Sequence, residues 1–272
     1  MITFPNAKIN IGLNVVSKRP DGYHNLETVY YPIPIEDSLE IHVNEMQSAP
    51  ITLYAYGKEI EGDLVDNLIV KAYNLIKKDF DIPCLDAYLY KNIPSGAGLG
   101  GGSSNAAFML KLLNKKFKLD ISTKKLEEYA LRLGADCPFF IQNKPVFAQG
   151  IGNLFSSIPL DLKDYKIVLI KPEISISTPK AFSQIRAQKP ENPLLDCINL
   201  PLPQWKDYIT NDFEKPIFET YPELKEIKNH LYQSGVLYAS MSGSGPSIYG
   251  IYQMGKALPD LSLFQEYYVC NL

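Results

Sequence analysis

From Lys8 onward the chain alternates, with Lys8, Asn10, Gly12 and Asn14 on one side of an extended backbone and Ile9, Ile11, Leu13 and Val15 on the other. A period of two predicts a strand over residues 6–16 with Lys8 and Asn10 side by side on its polar face. A solvated edge strand carries the same pattern, so the alternation leaves open whether this face is a surface or a site. Strand-like runs follow over residues 28–33, 38–43, 51–56, 86–91, 165–170 and 247–252. Helical spacing predicts a helix from Asn67 to about Phe80 capped by Asp66, a second through Ala106, Met109, Leu110 and Leu113, and a third from near Ser122 to a stop at Gly134. Two more are expected at residues 177–182, with Thr178 at the cap and Pro179 first in the helix, and at residues 222–233, stopped by Gly235. Residues 188–211 carry four prolines and Trp205 with little periodicity, and read as a long loop or short irregular helices. The pattern breaks over residues 151–163, which sets the expected boundary between a first domain, 1–158, and a second, 159–272.

Between the strand ending at Lys91 and the helix through Ala106 lies Pro94-Ser-Gly-Ala-Gly-Leu-Gly-Gly-Gly-Ser-Ser104, which holds five of the chain's seventeen glycines. That density is entropically costly unless the backbone must enter conformations closed to other residues or let something approach closely. Two or three glycines would suffice merely to turn a corner. With Ser103 or Ser104 as the N-cap, the free N–H groups of the helix start form an anion site, and the loop reads as a cradle for a triphosphate. A Walker A loop is excluded, because Gly101-Gly-Ser103 stands where Gly-Lys-[Ser/Thr] is required. Gly96, Gly98 and Gly101 satisfy G-x-G-x-x-G, but a dinucleotide fold needs a strand after the helix, and residues 121–133 read as another helix.

Composition narrows the class. The 272 residues suffice for one large or two ordinary domains, and a net charge of −3 with no basic block argues against nucleic-acid or membrane-surface binding. No apolar run approaches a bilayer span. The opening Met1-Ile-Thr-Phe-Pro5 shows no leader pattern, and Cys84, Cys137, Cys197 and Cys270 lack paired spacing, so a cytoplasmic protein with reduced thiols is expected.

Three further features carry candidate chemistry. Pro20-Asp21-Gly22 is a tight turn that presents Tyr23 and His24 at its exit, where ordinary loop packing is the competing reading. Asp136 is a lone carboxylate between the Gly134 stop and an apolar run, open to a role as a helix cap or as a chemical group. Ala239-Ser-Met-Ser-Gly-Ser-Gly-Pro246 reads as a second small-residue loop.

The segments Ala7-Lys-Ile-Asn10, Arg19-Pro-Asp-Gly-Tyr-His24, Asp66-Asn-Leu-Ile69, Gly98-Leu-Gly-Gly-Gly-Ser-Ser-Asn-Ala-Ala107, Gly134-Ala-Asp-Cys-Pro138 and Ser242-Gly-Ser-Gly245 together resemble a family of small-molecule kinases. That family includes galactokinase, homoserine kinase, mevalonate kinase and phosphomevalonate kinase. Its signature is Pro-x-x-x-Gly-Leu-Gly-[Ser/Gly]-Ser, which Pro94, Gly98, Leu99, Gly100 and Ser103 fit with one extra glycine. The resemblance implies an α+β protein of two domains, a ribosomal protein S5 domain 2-like N-terminal domain and a ferredoxin-like C-terminal domain, with the active site in the cleft between them. It is closest to the branch that uses ATP and Mg²⁺ to phosphorylate the 2-hydroxyl of a cytidine-diphospho sugar alcohol in non-mevalonate isoprenoid (terpenoid) biosynthesis.

Carried onto this sequence, the resemblance places Lys8 and Asp136 as catalytic residues at the acceptor hydroxyl. Pro94, Ser95, Gly96, Ala97, Gly98, Leu99, Gly100, Gly101, Gly102, Ser103 and Ser104 form the ATP loop, with Asn67 near the adenine and Ser103 and Ser104 facing the phosphates and their Mg²⁺. Asn10 and Thr178 hold the sugar alcohol, Tyr23 and Phe182 sandwich the cytosine, and His24 reads its polar edge. The implied state is a monomer or weak homodimer with no nucleic-acid or membrane partner. A kinase of the same family acting on mevalonate, homoserine or a sugar is the nearest alternative, and the Asp-Gly-Tyr-His turn argues against it because those substrates have no base to stack. A non-catalytic metabolite sensor is the other alternative, and it would be expected to have lost Lys8 or Asp136.

Overall fold

The computed structural model describes residues 1–46 and 49–272. In chain order its first elements are β1 (Ile2–Thr3), β2 (Asn6–Lys18), β3 (His24–Glu36), β4 (Ser38–Val43), β5 (Ile51–Gly57), α1 (Leu68–Lys77), β6 (Leu85–Lys91), α2 (Gly101–Phe117), α3 (Thr123–Leu131) and α4 (Phe139–Gln142). There follow β7 (Val146–Gly150), β8 (Leu154–Ser157), β9 (Tyr165–Ile170), α5 (Thr178–Ser183), α6 (Leu194–Cys197), α7 (Trp205–Tyr208), α8 (Glu214–Thr220), α9 (Pro222–Gln233), β10 (Tyr238–Met241), β11 (Ile248–Gln253) and β12 (Tyr267–Asn271). The contacts divide the chain into two units that interleave in sequence, one of Met1–Ala7, Ile35–Ser95 and Gly100–Lys144, the other of Lys8–Pro34, Gly96–Leu99 and Pro145–Leu272.

The first unit is built on a sheet of order β1-β4-β6-β5. Strands β4 and β6 pair antiparallel, whereas β5 runs parallel to β6 because α1 carries the chain back across before β6 begins. Along β6 the alternation is strict: Leu85, Ala87 and Leu89 are buried, while Tyr88 and Tyr90 are exposed, as Tyr54 and Tyr56 are on β5. Helix α1 buries Ile69, Ala72, Tyr73 and Ile76 and packs on α2, which in turn contacts α3 and α4.

The second unit holds two antiparallel sheets, β2-β3-β7-β8 and β10-β11-β9-β12. Its main core joins Leu13 and Val15 of β2 with Val168 and Ile170 of β9, Ile248 and Tyr252 of β11, Phe213, and Leu224, Ile227 and Leu231 of α9. Trp205 of α7 is 2% exposed, with its indole N–H donating to the Leu200 carbonyl at 2.9 Å. Among the described residues no helix is long and apolar enough to cross a membrane.

Several expected boundaries are corrected. Asp66 does not cap α1. It lies in a short 3₁₀ turn, Leu64–Asp66, and Asn67 is the cap, accepting from the Ile69 N–H at 2.9 Å. Neither Ser103 nor Ser104 caps α2, since Gly100, in a left-handed conformation, already ends the loop and both serines lie inside the helix. Thr178 is the first residue of α5 rather than its cap, a position held by Ser177. Residues 239–241 belong to β10, whose four residues are buried on both faces and so show no alternation. Residues 188–211 do form short helices, α6 and α7, and the break at 151–163 contains β8, paired with β7.

One carboxylate ties three elements of the second unit. Glu214 of α8 accepts from Ser240 Oγ at 3.1 Å and the Met241 N–H at 2.8 Å, both on β10, and from Lys228 Nζ of α9 at 2.6 Å. Removing it strands a partly buried ammonium and a buried backbone donor. Glu214→Ala is therefore expected to lower stability to urea by about 2–4 kcal/mol; a loss below about 1 kcal/mol would show that water replaces the carboxylate.

Candidate active site

The glycine loop takes its shape from three left-handed glycines at alternate positions: Gly96, Gly98 and Gly100 have φ of 61°, 74° and 70°. At Gly98 the requirement is double, because an added Cβ would lie 2.1 Å from the Ser242 carbonyl oxygen. Ala97 and Leu99 point inward, 2% and 1% exposed, and anchor the loop. Gly96 and Gly102 are exposed, and a Cβ on either would meet nothing within 4 Å. Pro94 is buried, and Ser95 Oγ donates to the Glu59 carbonyl at 3.2 Å. No side chain caps α2, so the N–H groups of its first turn are left to the solvent side of this loop or to a ligand. An amide-rich, side-chain-poor ribbon opening onto an uncapped helix start suits a polyphosphate.

The polar face of β2 is not a solvated edge. Lys8 is 3% exposed and Asn10 2%, and the expected adjacency is realised as a 2.6 Å hydrogen bond from Lys8 Nζ to Asn10 Oδ1. Lys8 Nζ also donates to the Gly98 carbonyl at 3.3 Å and lies 4.9 Å from the centroid of the Tyr30 ring. The Lys8 N–H donates to the Leu99 carbonyl at 3.0 Å, which binds the strand to the loop along the backbone. Asn10 is held on every side: Nδ2 donates to Thr28 Oγ1 at 3.0 Å, its N–H to Ser242 Oγ at 3.3 Å, and its carbonyl accepts from Tyr249 at 2.7 Å.

The second small-residue loop closes on the same groups. Ser242 Oγ donates to the Gly98 carbonyl at 2.9 Å. Asn211 Nδ2 donates to the carbonyls of Met241 and Gly243, both at 2.8 Å, and so fixes the loop from behind. Sequence reading found this loop but missed Thr28 and Asn211; Asn211 lies at the end of the proline-rich stretch, where no periodicity marks it.

The Pro20-Asp21-Gly22 turn joins β2 to β3, with Arg19 paired to Asp21 at 2.7 Å and the Tyr23 N–H donating to Asp21 Oδ1 at 3.1 Å. Tyr23 is 62% exposed at its exit. The ring stacked on Phe182 is that of His24, at 5.2 Å and 20°, and Phe182 meets Phe213 edge-on at 4.9 Å. Thr178 Oγ1 and Ser244 Oγ lie 3.2 Å apart, which joins the start of α5 to the second loop.

In the first unit, Asp136 is half-buried in the turn between Gly134 and α4. Burial pushes the neighbouring Cys137 thiol up to about 12, with a hydrogen bond to Ser103 opposing and the Asp136 charge adding to the rise, so Cys137 is an inert thiol. Ser104 is fully buried and its hydroxyl has no protein partner, an orphaned group at the base of the helix start. Asn67 spends its side-chain oxygen on capping α1. Among the described residues no cluster of three His, Cys, Asp or Glu side chains could hold a metal by itself.

Known proteins resemble this chain in sequence and in fold. The GHMP kinases N terminal domain matches residues 67–144 and the GHMP kinases C terminal domain matches residues 198–260. The 4-diphosphocytidyl-2-C-methyl-D-erythritol kinase of Bacteroides fragilis (strain ATCC 25285) is 58% identical over 252 residues, covering 93% of this chain and 92% of that one. That of Bacteroides thetaiotaomicron is 54% identical over 260 residues, covering 96% and 95%. A crystal structure of 4-(cytidine 5'-diphospho)-2C-methyl-D-erythritol kinase superposes with a TM-score of 0.80 at 28% identity, over 99% of this chain and 98% of that one. Methanococcus jannaschii mevalonate kinase shares the fold at a TM-score of 0.71 and 14% identity, over 100% and 98% of the two chains. With the glycine ribbon, the lysine beside it and both halves of the chain matched, the protein belongs to the GHMP kinases, among the 4-diphosphocytidyl-2-C-methyl-D-erythritol kinases.

Proposed function

We propose that the protein transfers the γ-phosphoryl group of ATP to the 2-hydroxyl of 4-diphosphocytidyl-2-C-methyl-D-erythritol, a step of non-mevalonate isoprenoid precursor synthesis. The observation that carries the chemistry is the glycine loop, open at Gly96 and Gly102, running into a helix that no side chain caps. The relatives named above carry the substrate. In domain terms the reading is an S5-like N-terminal domain, a ferredoxin-like C-terminal domain and a substrate cleft between them, with residues 1–158 and 159–272 as the functional halves. A cytoplasmic monomer or weak homodimer completes it.

In this reading the main-chain N–H groups of Gly96–Ser103 bind the phosphate oxygens, and Asn67 stands near the adenine. Ser103 and Ser104 would stand near Mg²⁺, whose charge would offset that of the phosphates. Phosphoryl transfer passes through a loose transition state, so alignment and charge matter more than a strong base. The acceptor oxygen forms its bond to the γ-phosphorus as the bond to ADP breaks, and Asp136 takes the hydroxyl proton late in transfer. Lys8 supplies positive charge to the developing oxyanion. Its ammonium is already aimed by Asn10 Oδ1 and the Gly98 carbonyl, so little orientation is left to be found during the reaction. Asn10 and Thr178 hold the methylerythritol, and Tyr23, His24 and Phe182 form the cytosine pocket.

The direct test is ADP release with ATP, Mg²⁺ and a panel holding the cytidine-diphospho substrate, mevalonate, homoserine and galactose. Turnover is expected with the first alone, and turnover with another alcohol would overturn the substrate assignment. Asp136→Asn is expected to lower kcat by roughly 10²–10⁴-fold while the Kd for ATP stays within about twofold; equal loss of both would remove Asp136 from the chemistry. Tyr23 is exposed enough to be truncated without disturbing a core. Tyr23→Ala should raise the KM of the cytidine substrate about 5- to 150-fold, the equivalent of about 1–3 kcal/mol of stacking, and leave kcat nearly unchanged. An unaltered KM would place the base elsewhere.

A further inference from the structure

The glycine loop is gripped at both ends by one carboxylate to which neither the family resemblance nor the reaction assigns a role. Asp37 is the single residue between β3 and β4, and it is 1% exposed. Its Oδ1 accepts from the N–H groups of Asn92 at 2.7 Å and Ile93 at 2.8 Å, the two residues before Pro94. Its Oδ2 accepts from Asn105 Nδ2 at 2.8 Å, the residue directly after Ser104, and from Lys91 Nζ at 2.5 Å at the end of β6. Asn92 Nδ2 adds a bond to the Glu36 carbonyl at 3.2 Å, and the Asp37 N–H donates to the Pro5 carbonyl at 2.9 Å. Lys91 and Asn105 are 3% and 2% exposed, so the carboxylate and both of its side-chain donors are buried.

Four donors use the acceptor capacity of one carboxylate. The pair it makes with Lys91 is weak evidence for stability, since a buried ion pair can often be replaced by apolar residues at no loss. What an apolar replacement could not reproduce is the geometry: segments 91–93 and 105 are referred to one point. The helix start is also packed directly onto that point, because a Cβ on Gly101 would stand 2.9 Å from Lys91 Nζ and 2.8 Å from Ile93 Cγ2. Burial lowers the pKa of the Lys91 amine, and the Asp37 carboxylate opposes that fall.

We propose that Asp37 is a positioning residue for the nucleotide, holding the two ends of the Pro94–Ser104 loop at a set separation so that its amides are arrayed before a triphosphate arrives. Preorganisation of this kind lowers the ordering cost of binding and appears as affinity for the ligand held. The inference rests on the assignment of the loop to ATP.

Its test is the Kd for ATP by calorimetry, together with the KM of the alcohol substrate and the thermal midpoint, in wild type, Asn105→Ala and Asp37→Asn. Asn105→Ala removes only the tie to the far end of the loop and leaves the Lys91–Asp37 pair intact, so it keeps the question decidable if Asp37→Asn does not fold. Asn105→Ala is expected to weaken ATP binding about tenfold, about 1.4 kcal/mol, with the KM of the alcohol within about twofold of wild type; Asp37→Asn, where folded, should weaken it further. An Asn105→Ala protein that melts lower but binds ATP as wild type does would overturn the proposal and leave the kinase assignment standing. Wild-type protein that binds no ATP would overturn both.

Discussion

The carbonyl oxygen of Gly98 is the point on which the second unit's site is assembled. It receives Lys8 Nζ from β2 and Ser242 Oγ from the loop before β11, two donors far apart in the chain. The approach is possible because residue 98 has no side chain and sits at a φ of 74°. From that oxygen the remaining contacts follow in sequence: Lys8 is turned to Asn10, Asn10 to Thr28, and Thr28 Oγ1 to the Gly12 carbonyl at 2.6 Å. A lysine this deeply buried is tolerable only because each turn of the chain offers its ammonium an oxygen or an aromatic face. The placement of the Lys8 amine is therefore a product of backbone conformation several residues away, and not of its own strand alone.

The same economy recurs elsewhere, with one polar group satisfying several elements at once. Glu214 does so for α8, α9 and β10, Asn211 for the second loop, and Asp37 for the two ends of the first. Each is buried and each binds backbone, and Glu214 and Asp37 bind side chains as well. Such groups add little net energy when complete and cost much when broken, so they fix which arrangement is adopted more than how firmly it is held.

Much of this was legible in the chain because period-two and helical spacing are local signals. The strands over Lys8, Ser38, Leu85 and Tyr165 and the helices over Ala106 and Leu224 lie where their apolar positions place them. The glycine loop announced itself by density, and its family resemblance followed from contiguous residues. Caps were misplaced by one residue or more, because Asp66, Asn67, Ser177 and Thr178 are all chemically able to cap and only the backbone decides among them. Strands such as β10 and β12 were missed because the first is buried on both faces and the second is short, with Tyr267, Tyr268, Val269 and Cys270 in an unbroken apolar run, so the residue types of neither alternate. Asp37 could not be found at all: its importance lies in contacts at separations of 54 to 68 residues, and nothing near it in sequence marks them.

Trp205 is the chain's single tryptophan, and its ring is enclosed in the second unit beside Tyr238 at 5.7 Å. The protein thus carries one built-in chromophore whose emission reports on that unit alone. The unit bearing Asp136 and α2 holds tyrosines but no indole, so fluorescence excited at long wavelength observes one unit, whereas far-ultraviolet dichroism sums the backbone of both. Divergence of the two signals during denaturation would measure how independently the portions come apart.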